Sequence, residues 1–106
     1  MPKYLITASY TADGLKGLQK DKASGRGQAV AAAIASVGGK VECFYHALGK
    51  DDVYIIADLP DNSTAAAIGV TASSTGLVRT RTTALMTVEE VDRGLEKSVS
   101  YRPPGR

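Results

Sequence analysis

Val41-Glu42-Cys43-Phe44-Tyr45-His46-Ala47-Leu48, Gly49-Lys50-Asp51-Asp52, Val53-Tyr54-Ile55-Ile56-Ala57-Asp58-Leu59: two apolar runs flank a segment of turn chemistry. Both runs alternate as half-buried strands do. Their close spacing predicts an antiparallel hairpin. In the second run, Val53, Ile55, Ala57 and Leu59 form a uniformly apolar side, while Tyr54, Ile56 and Asp58 form a mixed one. An even-length turn at Lys50-Asp51 would set Leu48 opposite Val53 and Tyr45 opposite Ile56, placing Cys43, Tyr45 and Ala47 on the mixed side. A three-residue turn would reverse that assignment and move His46 with it.

The flanking sequence supplies the other elements. Upstream, Lys3 to Tyr10 alternates as a strand. Thr11 can cap a helix carrying Leu15 and Leu18, which Gly14 and Gly17 weaken and Lys20 to Gly25 interrupts. A second helical stretch, from about Ser24 to Val37, carries Val30, Ile34 and Val37 on one stripe and stops at Gly38-Gly39. Downstream, Asp61 or Asn62 caps a helix that runs to about Thr75 and stops at Gly76. Leu77 to Met86 is a fourth strand. Thr87-Val88-Glu89-Glu90 is a capping box for a final helix with Val88, Val91 and Leu95 on one stripe.

The order β-α-β-β-α-β is the split βαβ arrangement of ferredoxin-like α+β domains. Right-handed crossovers put both main helices on one face of a four-stranded antiparallel sheet. Residues 1–99 are read as a single domain and residues 100–106, with two prolines, as an extended tail, free or lying on a neighbour.

The mixed sheet face is then bare, and Tyr54 and Ile56 are too apolar for open water. Self-association through this face in a homodimer or larger assembly is expected. The alternative is that the C-terminal helix folds back over it.

Thirteen basic and eleven acidic residues nearly cancel, and no basic patch with interleaved aromatics appears, so no nucleic-acid partner is expected. No apolar run reaches membrane-spanning length, and no signal peptide is read after Met1. The single cysteine, Cys43, needs no oxidising compartment and reads as a buried free thiol. A cytoplasmic location follows as the expectation.

Several segments together resemble the GYD family of small bacterial and archaeal proteins, grouped with the dimeric α/β barrels. They are Tyr10-Thr11-Ala12-Asp13-Gly14, Gly38-Gly39-Lys40, Phe44-Tyr45, Gly49-Lys50-Asp51-Asp52, Leu59-Pro60-Asp61 and Val78-Arg79-Thr80-Arg81-Thr82. The family pattern at the naming motif is Gly, any residue, Tyr, Asp. Here Asp51 stands where Tyr is expected, while Gly49 and Asp52 fit. The resemblance implies the ferredoxin-like fold and face-to-face pairing of sheets. It carries no transferable activity: the wider barrel group includes monooxygenases, isomerases, haem-handling proteins and ligand-sensing modules.

The chemistry-bearing residues are few. Arg79 and Arg81, two apart on the fourth strand, share a face suited to clamping a carboxylate or phosphate, or to charging an edge strand against aggregation. A further reading pairs them with Glu42 or Asp58. Thr7 and Ser9 are expected to look into the same cleft as Tyr45 and Tyr54. Together these six form the candidate ligand site.

His46, the lone histidine, is a candidate general base, but the even-length turn places it on the helix side as a packed or edge residue. Tyr54 is the other catalytic candidate. No second ligand stands near His46, so no metal site is expected, and no cofactor. Ser24-Gly25-Arg26-Gly27 lacks phosphate-loop spacing and follows a helix, so it reads as a helix break. Asp51-Asp52 reads as a turn.

Three functions fit: an assembling module that binds a small organic or anionic ligand, a small cofactor-free or haem-assisted enzyme of the monooxygenase or isomerase type, and a purely structural assembly domain.

Overall fold

The computed structural model describes all 106 residues. Its elements in chain order are β1 (Lys3–Tyr10), α1 (Ala12–Ser36), β2 (Lys40–His46), β3 (Val53–Asp58), α2 (Asn62–Ser74), β4 (Val78–Leu85) and α3 (Val88–Leu95). The four strands form one antiparallel sheet in the order β2-β3-β1-β4. This is the ferredoxin-like arrangement.

Local chemistry sets the element ends. Thr11 caps α1, its hydroxyl accepting the Gly14 amide at 3.2 Å. Thr11 is itself tied to the start of β4 through the Leu77 carbonyl. Gly14 is buried there, and a Cβ at this position would run into that same carbonyl. The expected break in the first helix falls at Lys22, whose φ of 65° is left-handed. With ψ at 168° as well, Lys22 is not helical, so α1 is two helical stretches that meet at this kink, as the sequence leads one to expect. Gly38 (φ 81°) and Gly76 (φ 75°) stop α1 and α2 as left-handed residues, a conformation that costs glycine little.

The core lies between one sheet face and the helices. Tyr4, Ile6 and Ala8 from β1 meet Val53, Ile55 and Ala57 from β3, with Leu59, Ile34 of α1 and Ala65 of α2 closing over them. The Tyr4 hydroxyl donates to Asn62 Oδ1 at 2.6 Å, so its polar end is satisfied. The core is small: eleven of the 106 residues are buried. An apolar cavity of about 360 Å³ separates α1 from α2 above the sheet, between Val30 and Ile34 on one side and Ile68 and Ala72 on the other.

The hairpin keeps the expected parity but not the expected register. His46 opposes Val53, Tyr45 opposes Tyr54 and Cys43 opposes Ile56. The connection is therefore two residues longer at its base than a tight turn at Lys50-Asp51 allows. A shift of two preserves the face of every side chain. Ala47 and Leu48 lie outside the strand, and Leu48 is fully exposed. A bulge between Val41 and Cys43 adds one residue on β2. Cys43 is half-buried rather than in the core.

From Met86 onward every residue is exposed. α3 has its complete capping box, between Thr87 and Glu90, yet none of its residues is buried. It does not fold back to cover the sheet. A radius of gyration of 17.0 Å matches this extended end, against about 13 Å for a compact chain of similar length.

Candidate functional site

The strand registers assemble the sheet's uncovered face row by row. Tyr45, Tyr54, Thr7 and Arg81 stand side by side across β2, β3, β1 and β4. One row along lie Cys43, Ile56, Leu5 and Thr83, an apolar band. On the other side of the tyrosine row, Ser9 pairs with Arg79. By strand register all six residues expected to line a ligand site fall on one face of one chain, with Arg79, on the edge strand, also bordering the groove between α2 and β4. Thr7 is buried between its neighbours, whereas Tyr45 (68 %) and Tyr54 (41 %) present their rings to the exterior.

Charge gathers at the two ends of this face. At one end the Lys3 ammonium lies 2.9 Å from Asp58 and 3.1 Å from Glu42. Hydrogen bonds to these two carboxylates raise the Lys3 pKa above its ordinary value. Lys3 thus occupies the two acids that the sequence offered to the arginines. At the other end, Arg81 Nη2 donates to Asp51 Oδ2.

Asp51 gets there because the 47–52 loop is docked on the end of β1. The Asp52 amide donates to the Ala8 carbonyl at 2.9 Å, and Asp52 Oδ2 accepts the Tyr10 amide at 2.8 Å. Ser9 Oγ lies 3.2 Å from both the Lys50 carbonyl and Asp51 Oδ1. The Asp51 side chain is only 12 % exposed, held over β1 between Ser9 and Arg81. Arg79 forms no ion pair and is exposed.

Asp51 and Asp52 are more than turn residues, and sequence reasoning missed both roles. Turn propensity explains two aspartates after Gly49 so well that it hides any further use. The available signal was the departure of Asp51 from the family motif.

His46 lies apart from this group. Its register partner Val53 belongs to the helix-side core, and its ring stands 5.3 Å from that of Phe44. It is exposed because β2 is an edge strand. The two catalytic candidates, His46 and Tyr54, are therefore on opposite faces of the sheet.

No group of three or more His, Cys, Asp or Glu side chains is placed to hold a metal ion. Ser24 to Gly27 is helical, at the start of the stretch that follows the break at Lys22, and forms neither a loop nor the break itself.

The GYD domain profile matches residues 4–95 of the 106. The chain belongs to the GYD domain family. Neither curated proteins nor solved structures provide a match. In this GYD domain the motif Gly49 to Asp52 is the loop that locks onto β1, and the residue standing where the family has Tyr is the partner of Arg81. No helix is long and apolar enough to cross a membrane.

Proposed function

We propose that this GYD domain is a cytoplasmic, self-associating module that binds a small organic anion on its uncovered sheet face. The observation that carries the reading is the alignment of Tyr45, Tyr54, Thr7 and Arg81 in one row, with Ser9 and Arg79 beside it. Two phenol rings and a hydroxyl offer an apolar floor with hydrogen-bonding edges, and a guanidinium orients a carboxylate or phosphate. An apolar band beside charge, left uncovered by its own helices, is the composition of a surface that acquires a lid from a second molecule. A second copy facing the first would enclose the row and lower the local dielectric around the arginines, strengthening an anion contact.

Asp51 sets the terms of binding. Its carboxylate already occupies Arg81, so an incoming anion is received by Arg79 and competes for Arg81. The ligand consistent with this is a mono- or dicarboxylate or a phosphate ester carrying an apolar body.

The enzyme reading draws less support from the geometry. His46 and Tyr54 do not converge, and no third group joins either of them to form a proton-transfer constellation.

The test is thermal-shift screening of the intact chain against a panel of aromatic and aliphatic carboxylates and phosphate esters. A stabilising anion whose effect disappears in an Arg79→Gln, Arg81→Gln double variant is the expected result. No stabilisation by any member of the panel at millimolar concentration counts against the reading.

A further inference from the structure

The helix layer is incomplete. α1 packs over β1 and β2 and α2 over β4, and the two helices pack on the sheet rather than on each other. The cavity of about 360 Å³ is the space left between them. Ile6 and Ile55 form its floor, Val30 and Ile68 its half-buried walls, and Ala33 of α1 and Ala67 of α2 its exposed rim. Alanine on both sides of the rim leaves the mouth open where a longer side chain would close it. A molecule with only eleven buried residues would gain stability by filling this space, and its sequence does not fill it.

One charged residue borders the cavity, Arg26. Its side chain is 32 % exposed, so most of it is covered. Its ionic partner, Asp21 Oδ2, stands 3.9 Å away, too far for a hydrogen bond, and leaves the guanidinium donors free of that carboxylate. The bordering hydroxyls are already engaged. Ser36 donates to the Ala33 carbonyl at 2.6 Å, Thr75 to that of Ala72 at 2.7 Å, and Thr80 to that of Gly69 at 3.3 Å. An apolar space with a single cation at its border suits a guest with an apolar body and one anionic head.

We propose that the cleft between α1 and α2 binds a small amphipathic acid, with its apolar body between Val30 and Ile68 and its carboxylate on Arg26. An apolar cavity of about 150 Å³ takes benzene, so a space of about 360 Å³ takes roughly a dozen heavy atoms. That is the size of a medium-chain alkyl or arylalkyl carboxylate. The site lies on the helix side of the sheet, opposite Tyr45 and Arg81, and does not depend on the reading of the uncovered face.

The wall that carries Arg26 and Val30 is also adjustable. It begins just past Lys22, whose φ of 65° and ψ of 168° belong to a region otherwise held by glycine. Before that joint, α1 is tied to the start of β4 through Thr11 and Leu77. The distance between the stretch after Lys22 and α2 is therefore set by one joint and by the sheet, not by contact between the helices.

The experiment is a titration of the isotope-labelled full chain with octanoate, and in parallel with octanol, followed by NMR amide shifts. Octanoate is expected to saturate at about millimolar concentration, as a well-seated ligand of this size does, with shifts at Arg26, Val30, Ile34, Ile68 and Ala72. Arg26→Gln should weaken octanoate about tenfold through the lost charge-assisted hydrogen bond and leave octanol unchanged. Ala72→Leu, half-buried in the wall, and Ala33→Leu, at the exposed rim, should each weaken both probes roughly tenfold by occupying the space. Ala33→Leu carries the test if Ala72→Leu does not fold. The Arg79→Gln, Arg81→Gln double variant should bind octanoate as the unaltered chain does.

The absence of saturable octanoate shifts overturns this site and leaves the sheet-face reading standing. Shifts at Thr7, Tyr45 and Tyr54 that vanish in the Arg79→Gln, Arg81→Gln variant overturn it in favour of the sheet face. Octanoate binding that survives Ala33→Leu, or that is indifferent to Arg26→Gln, overturns it as well.

Discussion

Ile55 and Ile56 are neighbours of identical chemistry on β3, and they meet opposite surroundings. Ile55 is 5 % exposed, packed under α1 and α2 beside Ile6. Ile56 points the other way, between Leu5 and Cys43, and is only half-buried because no element of the chain lies over it. The two faces differ because both crossovers pass on the same side of the sheet. One face therefore holds the intramolecular core, and the other is left with tyrosines, an apolar band and charges at its ends. Stability and recognition are separated by the thickness of a single strand.

Alanine at each isoleucine breaks or sharpens that contrast most directly. Ile55→Ala should lower unfolding free energy by about 2–4 kcal/mol at every protein concentration, as core truncations do. Ile56→Ala should cost about 1 kcal/mol in dilute solution, with a larger apparent loss where the chain self-associates. Urea unfolding at two concentrations measures both, and equal concentration-independent losses would show that the faces are alike.

Tyr54→Asp probes the uncovered face without touching the core. It should weaken self-association at least tenfold by sedimentation analysis, while the monomer's unfolding midpoint moves little. A midpoint that drops as far as in Ile55→Ala would place Tyr54 in the intramolecular core.

Asp51→Asn sharpens the polar end of the same face. Removing the carboxylate frees Arg81, and affinity for a carboxylate ligand should rise several-fold by calorimetry. Global stability should change by less than about 1 kcal/mol, because the pair is partly exposed. Unchanged or weaker anion binding would mean that Asp51 is itself part of the binding surface.

The smallest effect lies on the helix side. Asp61 Oδ1 accepts the Thr64 hydroxyl at 2.7 Å and its amide at 2.9 Å, and these bonds hold its pKa below the ordinary aspartate value. A depressed folded pKa contributes stability that is present above the unfolded value, near pH ~4, and is lost as pH falls through the lower folded value. Asp61→Asn keeps a cap but cannot titrate. The Tm advantage of the unaltered chain over the Asp61→Asn variant should therefore narrow below about pH 4 in a series of thermal melts. An advantage that stays flat through acid would remove the carboxylate's role.

Much of this was legible along the chain because it is local. Thr11, Asp61 and Thr87 announce helix starts by side-chain caps, and Gly38 and Gly76 announce stops by their left-handed backbone. Alternation in 53–59 separates the two faces without any knowledge of what covers them. Parity is also robust, since the hairpin slipped by two residues and left Tyr45 and Tyr54 on the same side.

The loop at 47–52 was not legible. Turn chemistry specifies that the chain reverses there, but docking on β1 depends on Ser9, Tyr10 and Arg81, residues about thirty to forty positions away. Lys3 likewise takes Glu42 and Asp58 only because three strands come together at one end of the sheet.

The sequence by itself determined the β-α-β-β-α-β order, the apolar side of each strand and the helix caps, because these depend on neighbours within a few residues. The tertiary structure alone decided that Asp51 would hold Arg81, that His46 and Tyr54 would part, and that α3 would stand clear of its own chain. Those outcomes depend on register and on which surfaces the connections leave uncovered, and no local pattern carries that information.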